Sequence, residues 1–114
     1  MLPASFRLTK DADIKRVFEK GRGVFGEVCG LKYAKNGMKT SRFAIVVGTK
    51  ISKKATDRNK IKRRIRAILA KKQNSLLPGF DVLLLVRPSA RIADYSTLET
   101  RIFKVLDKAR LCEG

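Results

Sequence analysis

A single-domain α+β fold, an α/β sandwich with a mixed sheet and the order α-β-β-α-β-α, is predicted by three observations on this 114-residue sequence. Ile61, Ile65, Ile68 and Leu69 recur at helical spacing and form one apolar stripe. Residues 80–86, Phe-Asp-Val-Leu-Leu-Leu-Val, are a nearly continuous apolar run, as expected of a central strand covered on both faces. Leu98, Ile102, Val105, Leu106 and Ala109 form a second helical stripe. Such one-sided elements bury their apolar faces most simply as helices packed on a sheet. At this length the chain holds one core, burying roughly two thirds of its surface. Without linker, repeat or low-complexity stretch, residues 1–114 read as one domain.

In chain order, an extended arm to Leu8 precedes a helix over 11–20, capped by Thr9 or Asp11, with Ile14, Val17 and Phe18 on one face. Gly21 suits its C-terminal left-handed position, and Gly21-Arg22-Gly23 reads as a turn. Residues 28–34 and 42–48 read as two strands joined through a tight Asn36-Gly37 turn, since Asn-Gly supplies the positive φ values of a hairpin. Residues 50–55 connect to the central helix, which Thr56 or Asp57 caps and which ends near Gln73. Leu76-Leu77-Pro78-Gly79 then breaks the chain before the strand at 80–86. Asp81, the one charge of that strand, lies near its start, where it can remain wet. The last helix runs from about 96 to 110, with Ser96-x-x-Glu99 as a capping box and Asp94 as the alternative cap.

Charge points to the partner. Of the 27 Lys and Arg residues, eleven fall within residues 50–72 against the single acid Asp57, so this stretch carries +10 of the formal net +17. Like charges three and four apart repel on a helix, and acids that would balance them are missing. A polyanion is the natural partner, and the helix buries its Ile stripe while presenting Asn59, Lys60, Lys62, Arg63, Arg64 and Arg66 to it. A membrane surface is a poorer fit, because the stripe lacks Trp and Phe.

The inventory of reactive groups argues against catalysis by the polypeptide. There is no His, which removes the commonest general base and metal ligand. The acids are scattered singly, leaving little for two-metal hydrolysis. Gly21-Arg22-Gly23 lacks the third glycine of a dinucleotide fingerprint and follows a helix. Cys29 and Cys112 are far apart and read as two reduced thiols, one in a strand, rather than a zinc or disulfide pattern. No apolar run reaches the roughly 20 residues of a membrane span, and the N-terminus lacks an apolar signal-peptide core. A cytoplasmic protein is expected. Phe18 and Tyr33 are each either core or platform, and a single-stranded RNA is commonly held by aromatic stacking beside a positive groove.

The residues also resemble a family. Ala55-Thr-Asp-Arg-Asn-Lys-Ile-Lys-Arg-Arg-Ile-Arg66, preceded by Val47-Gly-Thr-Lys-Ile-Ser-Lys-Lys54, is similar to the Arg-Asn-Arg helix signature of the bacterial ribonuclease P protein subunit. Phe6-Arg-Leu8, Asp13-Ile-Lys-Arg-Val-Phe18, Gly21, Arg42-Phe-Ala-Ile-Val-Val-Gly48 and Asp81-Val-Leu-Leu-Leu-Val-Arg87 with Pro88 match at the right distances. The departure is Lys60, where the family usually has its second Arg; charge is kept and the bidentate fork is lost.

The resemblance implies an RNA-binding protein cofactor of a ribonucleoprotein that removes the 5′ leader from precursor tRNA, with Mg²⁺-dependent catalysis in the RNA subunit and no cofactor bound by the protein. Its partners are then the catalytic RNA and precursor tRNA, with no membrane and no protein partner. The fold implied resembles a ribosomal protein S5 domain with a left-handed β-α-β crossover. The positions implied for RNA are Lys53, Lys54, Arg58, Asn59, Lys60, Lys62, Arg63 and Arg66, and for the leader cleft Phe18 and Tyr33. The family's first cleft aromatic is Ile14 here. The runner-up is a small ribosomal or ribosome-associated RNA-binding protein, which composition does not separate from the first reading. A stand-alone nuclease is disfavoured by the missing bases.

Overall fold

The computed structural model describes residues 7–72 and 75–111. Phe6 and the arm before it, Gln73 and Cys112 lie outside the described residues. The chain forms helix α1 (Asp11–Lys20), strands β1 (Arg22–Val24), β2 (Cys29–Lys35) and β3 (Arg42–Val46), helix α2 (Ala55–Lys71), strand β4 (Phe80–Val86), a short 3₁₀ turn (Pro88–Arg91) and helix α3 (Tyr95–Lys108).

The sheet runs β1-β2-β4-β3. The expected hairpin between the second and third strands is therefore corrected: β4 lies between them, antiparallel to β2 and parallel to β3. The segment β3–α2–β4 is a crossover between neighbouring parallel strands. Gly37 has φ +69° as a tight turn requires, while Asn36 does not have positive φ. Asn36 instead accepts from the Met38 N–H at 2.8 Å and donates to the Thr40 carbonyl at 3.1 Å. The Gly21-Arg22-Gly23 segment enters β1 rather than turning, and Gly21 has an extended conformation (φ −75°, ψ 158°), not a left-handed one.

Helix ends differ from the capping pattern. Lys10 and Lys54 occupy the N-cap positions of α1 and α2 without side-chain caps, so Thr9, Asp11, Thr56 and Asp57 do not cap. At α2 the start is organised by buried Ser52, whose hydroxyl donates to Asp57 at 3.0 Å and accepts from the Lys54 N–H at 3.2 Å. At α3 the alternative cap is the real one: Asp94 accepts from the Thr97 N–H at 2.7 Å, and Ser96 lies inside the helix.

Two cores flank the sheet. The larger packs α2 and α3 through Ile61, Ile65, Ile68, Leu69, Leu98, Ile102 and Leu106 against Leu31, Phe43, Val82 and Leu84. The smaller packs Val17 and Ile14 of α1, with Leu8, against Leu83, Ala34, Ala44 and Leu85. Because side chains alternate along a strand, odd-numbered β2 residues face α2 and α3, and even-numbered ones face α1. Cys29 is buried at the start of β2, and burial pushes its thiol pKa up to about 12.

The expectation that Asp81 stays wet is also corrected. Its side chain is fully buried under α1, where Arg16, Arg42 and Asn36 all donate to it. A carboxylate is tolerated there because every lone-pair direction the site offers is met by a donor, two of them cationic.

Candidate RNA-binding surfaces

The polar face of α2 is the first surface. Thr56, Asn59, Lys62, Arg63 and Arg66 line one shallow depression along the helix, as their spacing dictates, since they fall within roughly a third of the helical wheel. Lys53, Lys54, Asn59, Lys60 and Arg63 are exposed, and Lys62 and Arg66 are half-buried. Among the described residues none of Lys60, Lys62, Arg63, Arg64 and Arg66 forms an ion pair. Among the described residues these cations are thus uncommitted.

Other basic residues of the stretch are committed. Arg58 is half-buried in the first turn of α2 and donates to the Ser52 carbonyl at 2.9 Å. Lys71 pairs with Glu99 at 2.6 Å and sits 4.9 Å from the Tyr95 ring, and Lys72 lies 4.8 Å from the Phe103 ring. The last turn of α2 is therefore spent on α3. The exposed cationic face is built by the helix before that turn together with Lys53 and Lys54.

The second surface lies on the opposite side of the sheet. Register places residues in rows across it: Ala34, Asp81 and Arg42; then Lys32, Leu83 and Ala44; then Gly30, Leu85 and Val46. Helix α1 covers the first two rows. The third is left as an apolar floor, with Leu85 half-buried and Val46 41% exposed. Phe18 stands beside it, 52% exposed, with the Lys32 ammonium 4.4 Å from its ring centroid and donating to its carbonyl at 2.7 Å. Val46 leads directly into residues 47–54, so by connectivity the groove opens next to the basic segment that enters α2.

Phe18 is thus exposed and not core, although it shares α1 with buried Val17. Tyr33 points to the other side of the sheet, half-buried, with its ring edge-on to Phe80 at 6.2 Å. The two aromatics expected together are not brought together. The residue that shares the Phe18 face is Lys32, which the sequence reading did not single out; strand alternation alone distinguishes Lys32 from Tyr33, once the strand carrying Ala34 into the α1 core is known. Ile14 is half-buried against the α1 core and offers no ring.

Comparison with known proteins decides the family. The family model described as Ribonuclease P matches residues 2–110. The chain belongs to the ribonuclease P protein family. The ribonuclease P protein component of a Pseudanabaena species is 33% identical over 115 residues, covering 100% of this chain and 99% of its own. That of a Synechocystis species is 32% identical, covering 98% and 91%. Among solved structures, the Staphylococcus aureus RNase P protein superposes with a TM-score of 0.87 at 27% identity, covering 95% of this chain and 98% of its own. The Thermotoga maritima RNase P protein superposes at 0.82 with 31% identity, covering 90% and 96%. A ribosomal or ribosome-associated role is not favoured by these matches. Among the described residues no helix is long and apolar enough to cross a membrane, and no group of three or more His, Cys, Asp or Glu side chains is gathered to hold a metal.

Proposed function

We propose that this chain, the protein subunit of ribonuclease P, anchors on the catalytic RNA through α2 and receives the 5′ leader of precursor tRNA in the groove between α1 and the open end of the sheet. The observation that carries the reading is the pairing of the two surfaces. The α2 face offers cations that form no ion pair among the described residues to a structured phosphate backbone, and the groove offers a ring, an ammonium and an apolar floor to a single strand. Arg63, Arg66 and Lys62 neutralise phosphates and release counterions, which supplies affinity without reading sequence. Phe18 and Lys32 suit an unstacked base and its adjoining phosphate.

Hydrolysis of the leader is assigned to the RNA subunit with its Mg²⁺, and the protein contributes binding and positioning of the substrate in the cytoplasm. No step in this reading requires a general base from the polypeptide, and no protein-bound cofactor is needed. The test is reconstitution with a bacterial ribonuclease P RNA and precursor tRNA at low Mg²⁺. Cleavage at the 5′ end of the mature tRNA only when protein and RNA are both present is the expected result. Cleavage by the protein alone, or no gain on adding it, overturns the reading.

A further inference from the structure

Phe25 is 78% exposed, among the most exposed large apolar side chains of the molecule. A single exposed aromatic is ordinary on a soluble protein. Three features set this one apart. It directly follows β1, and a Cβ built on Gly30 would meet the Phe25 Cδ1 at 4.0 Å, so the ring reaches to Gly30, the end of the same apolar row that Leu85 and Val46 continue. Its loop is fixed rather than free. A Cβ at Gly26 would lie 2.4 Å from the Val105 side chain and 2.8 Å from the Cys29 carbonyl, so only glycine allows this close seat on α3. Lys108 donates to the Phe25 carbonyl at 3.3 Å, Ser89 to the Glu27 carbonyl at 2.6 Å, and Arg101 pairs with Glu27 at 3.2 Å.

The third feature is charge. Past Phe25 the surface continues into a concavity bordered by Arg87 and Lys104, neither of which forms an ion pair among the described residues. Both acids on the same rim are occupied, Asp94 in its cap and Glu27 with Arg101.

We infer that Phe25 is a second stacking platform for single-stranded RNA, at the end of the groove floor away from Val46. The inference rests on the proposed leader groove and extends it. Lys32 and Gly30 are two residues apart on β2, so the surfaces beside Phe18 and under Phe25 are offset by roughly 7 Å along the strand. The offset gives the two rings different nucleotides of one strand. Because of this offset a short leader reaches Phe18 without reaching Phe25, or the reverse, according to its polarity in the groove. Stacking on a ring accepts any base, so the contact adds affinity with leader length rather than leader sequence. The cations beyond Phe25 then take the following phosphates.

The test uses the full chain assembled with a bacterial ribonuclease P RNA. Affinity is measured for mature tRNA and for precursor tRNAs whose leader is lengthened one nucleotide at a time, with wild type, Phe25→Ala and Phe18→Leu. Phe25→Ala is expected to weaken long-leader precursor by about five-fold or more, to leave mature tRNA unchanged, and to show its effect from a different leader length than Phe18→Leu. Melting temperature should stay put, because the ring is exposed. Leader-dependent affinity that Phe18→Leu reduces and Phe25→Ala does not overturns this inference and leaves the leader groove standing. An absence of any leader dependence in the wild type removes both. Self-association of the free protein that Phe25→Ala abolishes assigns the ring to a second copy of the chain, and also overturns it.

Discussion

Arg42 and Asp81 stand opposite each other in the parallel β3–β4 register, and the guanidinium closes on the carboxylate through two hydrogen bonds, Nε to Oδ1 at 2.9 Å and Nη2 to Oδ2 at 2.7 Å. Arg16 of α1 adds a bond to Oδ2 at 2.7 Å, and Asn36 one to Oδ1 at 2.9 Å. One carboxylate thus ties α1, the end of β2 and both parallel strands, and fixes the angle at which α1 lies over the sheet. That angle decides how much of the sheet is left as groove.

Asp81 should therefore govern both stability and its acid dependence. Burial pushes its pKa up, but the bonds from Arg42 and Asn36 and the two guanidinium charges outweigh burial and hold it below the ordinary carboxylate value. A depressed folded pKa means the contribution is complete above the unfolded value of about 3.9 and drains away as pH falls through the folded one. Asp81→Asn leaves two guanidinium groups facing a neutral partner, and about 3 kcal/mol of destabilisation is expected, roughly 10 °C in melting temperature. Wild-type stability should fall on acidification below about pH 4, and this part of the fall should be missing in Asp81→Asn. Denaturant melts of both proteins across that range check it. An unchanged acid profile would assign the acid sensitivity elsewhere.

Arg58 and Arg63 are separated by what each touches. Arg63 is exposed and free of ion pairs among the described residues, so Arg63→Ala should leave stability within about 0.5 kcal/mol while weakening the catalytic RNA. Arg58→Ala loses the bond to the Ser52 carbonyl, and about 1 to 2 kcal/mol of stability should go with it. Melting and RNA titration on the same preparations decide; equal stability for the two variants would mean that the Ser52 contact contributes nothing.

Salt reports the same surface independently. Affinity for the catalytic RNA should fall steeply with salt, because each neutralised phosphate releases about 0.7 to 0.9 counterions. In a log-log plot Arg63→Ala should lower the slope by about one. A flat dependence in wild type would show that phosphates are not what α2 holds.

The sequence made the helices and β4 legible because their apolar spacing is local, whereas pairing is not. Asn36-Gly37 carries a hairpin signal, and its glycine does adopt positive φ, yet β4 enters between β2 and β3 from 40 residues or so downstream, a partner that no local window sees. The same limit hid the role of Asp81: its compensating donors come from residues 16, 36 and 42, so burial looked unaffordable from its own strand. β1 was missed because its three residues include a glycine and lie on the sheet edge. For the candidate site, charge density picked out α2, its helical spacing turned Asn59, Lys60, Lys62, Arg63, Arg64 and Arg66 outward, and the resemblance added Lys53, Lys54 and Arg58. The resemblance places Tyr33 with Phe18, but the alternation of β2 sends it to the opposite face, leaving Lys32 in the groove.

The groove gives the last prediction. Phe18 is half exposed and holds the Lys32 ammonium over its ring, so Phe18→Leu removes a cation–π contact of about 0.5 to 1 kcal/mol and little buried area. Melting should shift by only a few degrees, whereas a core residue truncated in this way would cost more. With the holoenzyme, precursor tRNA carrying a leader of several nucleotides should bind less tightly, by the loss of a stacked base worth about 1 to 3 kcal/mol. Mature tRNA should bind as before, since it has no leader. Lys32→Gln should show the same substrate dependence and, in addition, a shallower salt dependence for precursor than wild type, because it removes a charge and leaves the ring. Equal weakening of precursor and mature tRNA by Phe18→Leu would place the ring outside the leader path, and the groove between α1 and the sheet would lose its assignment.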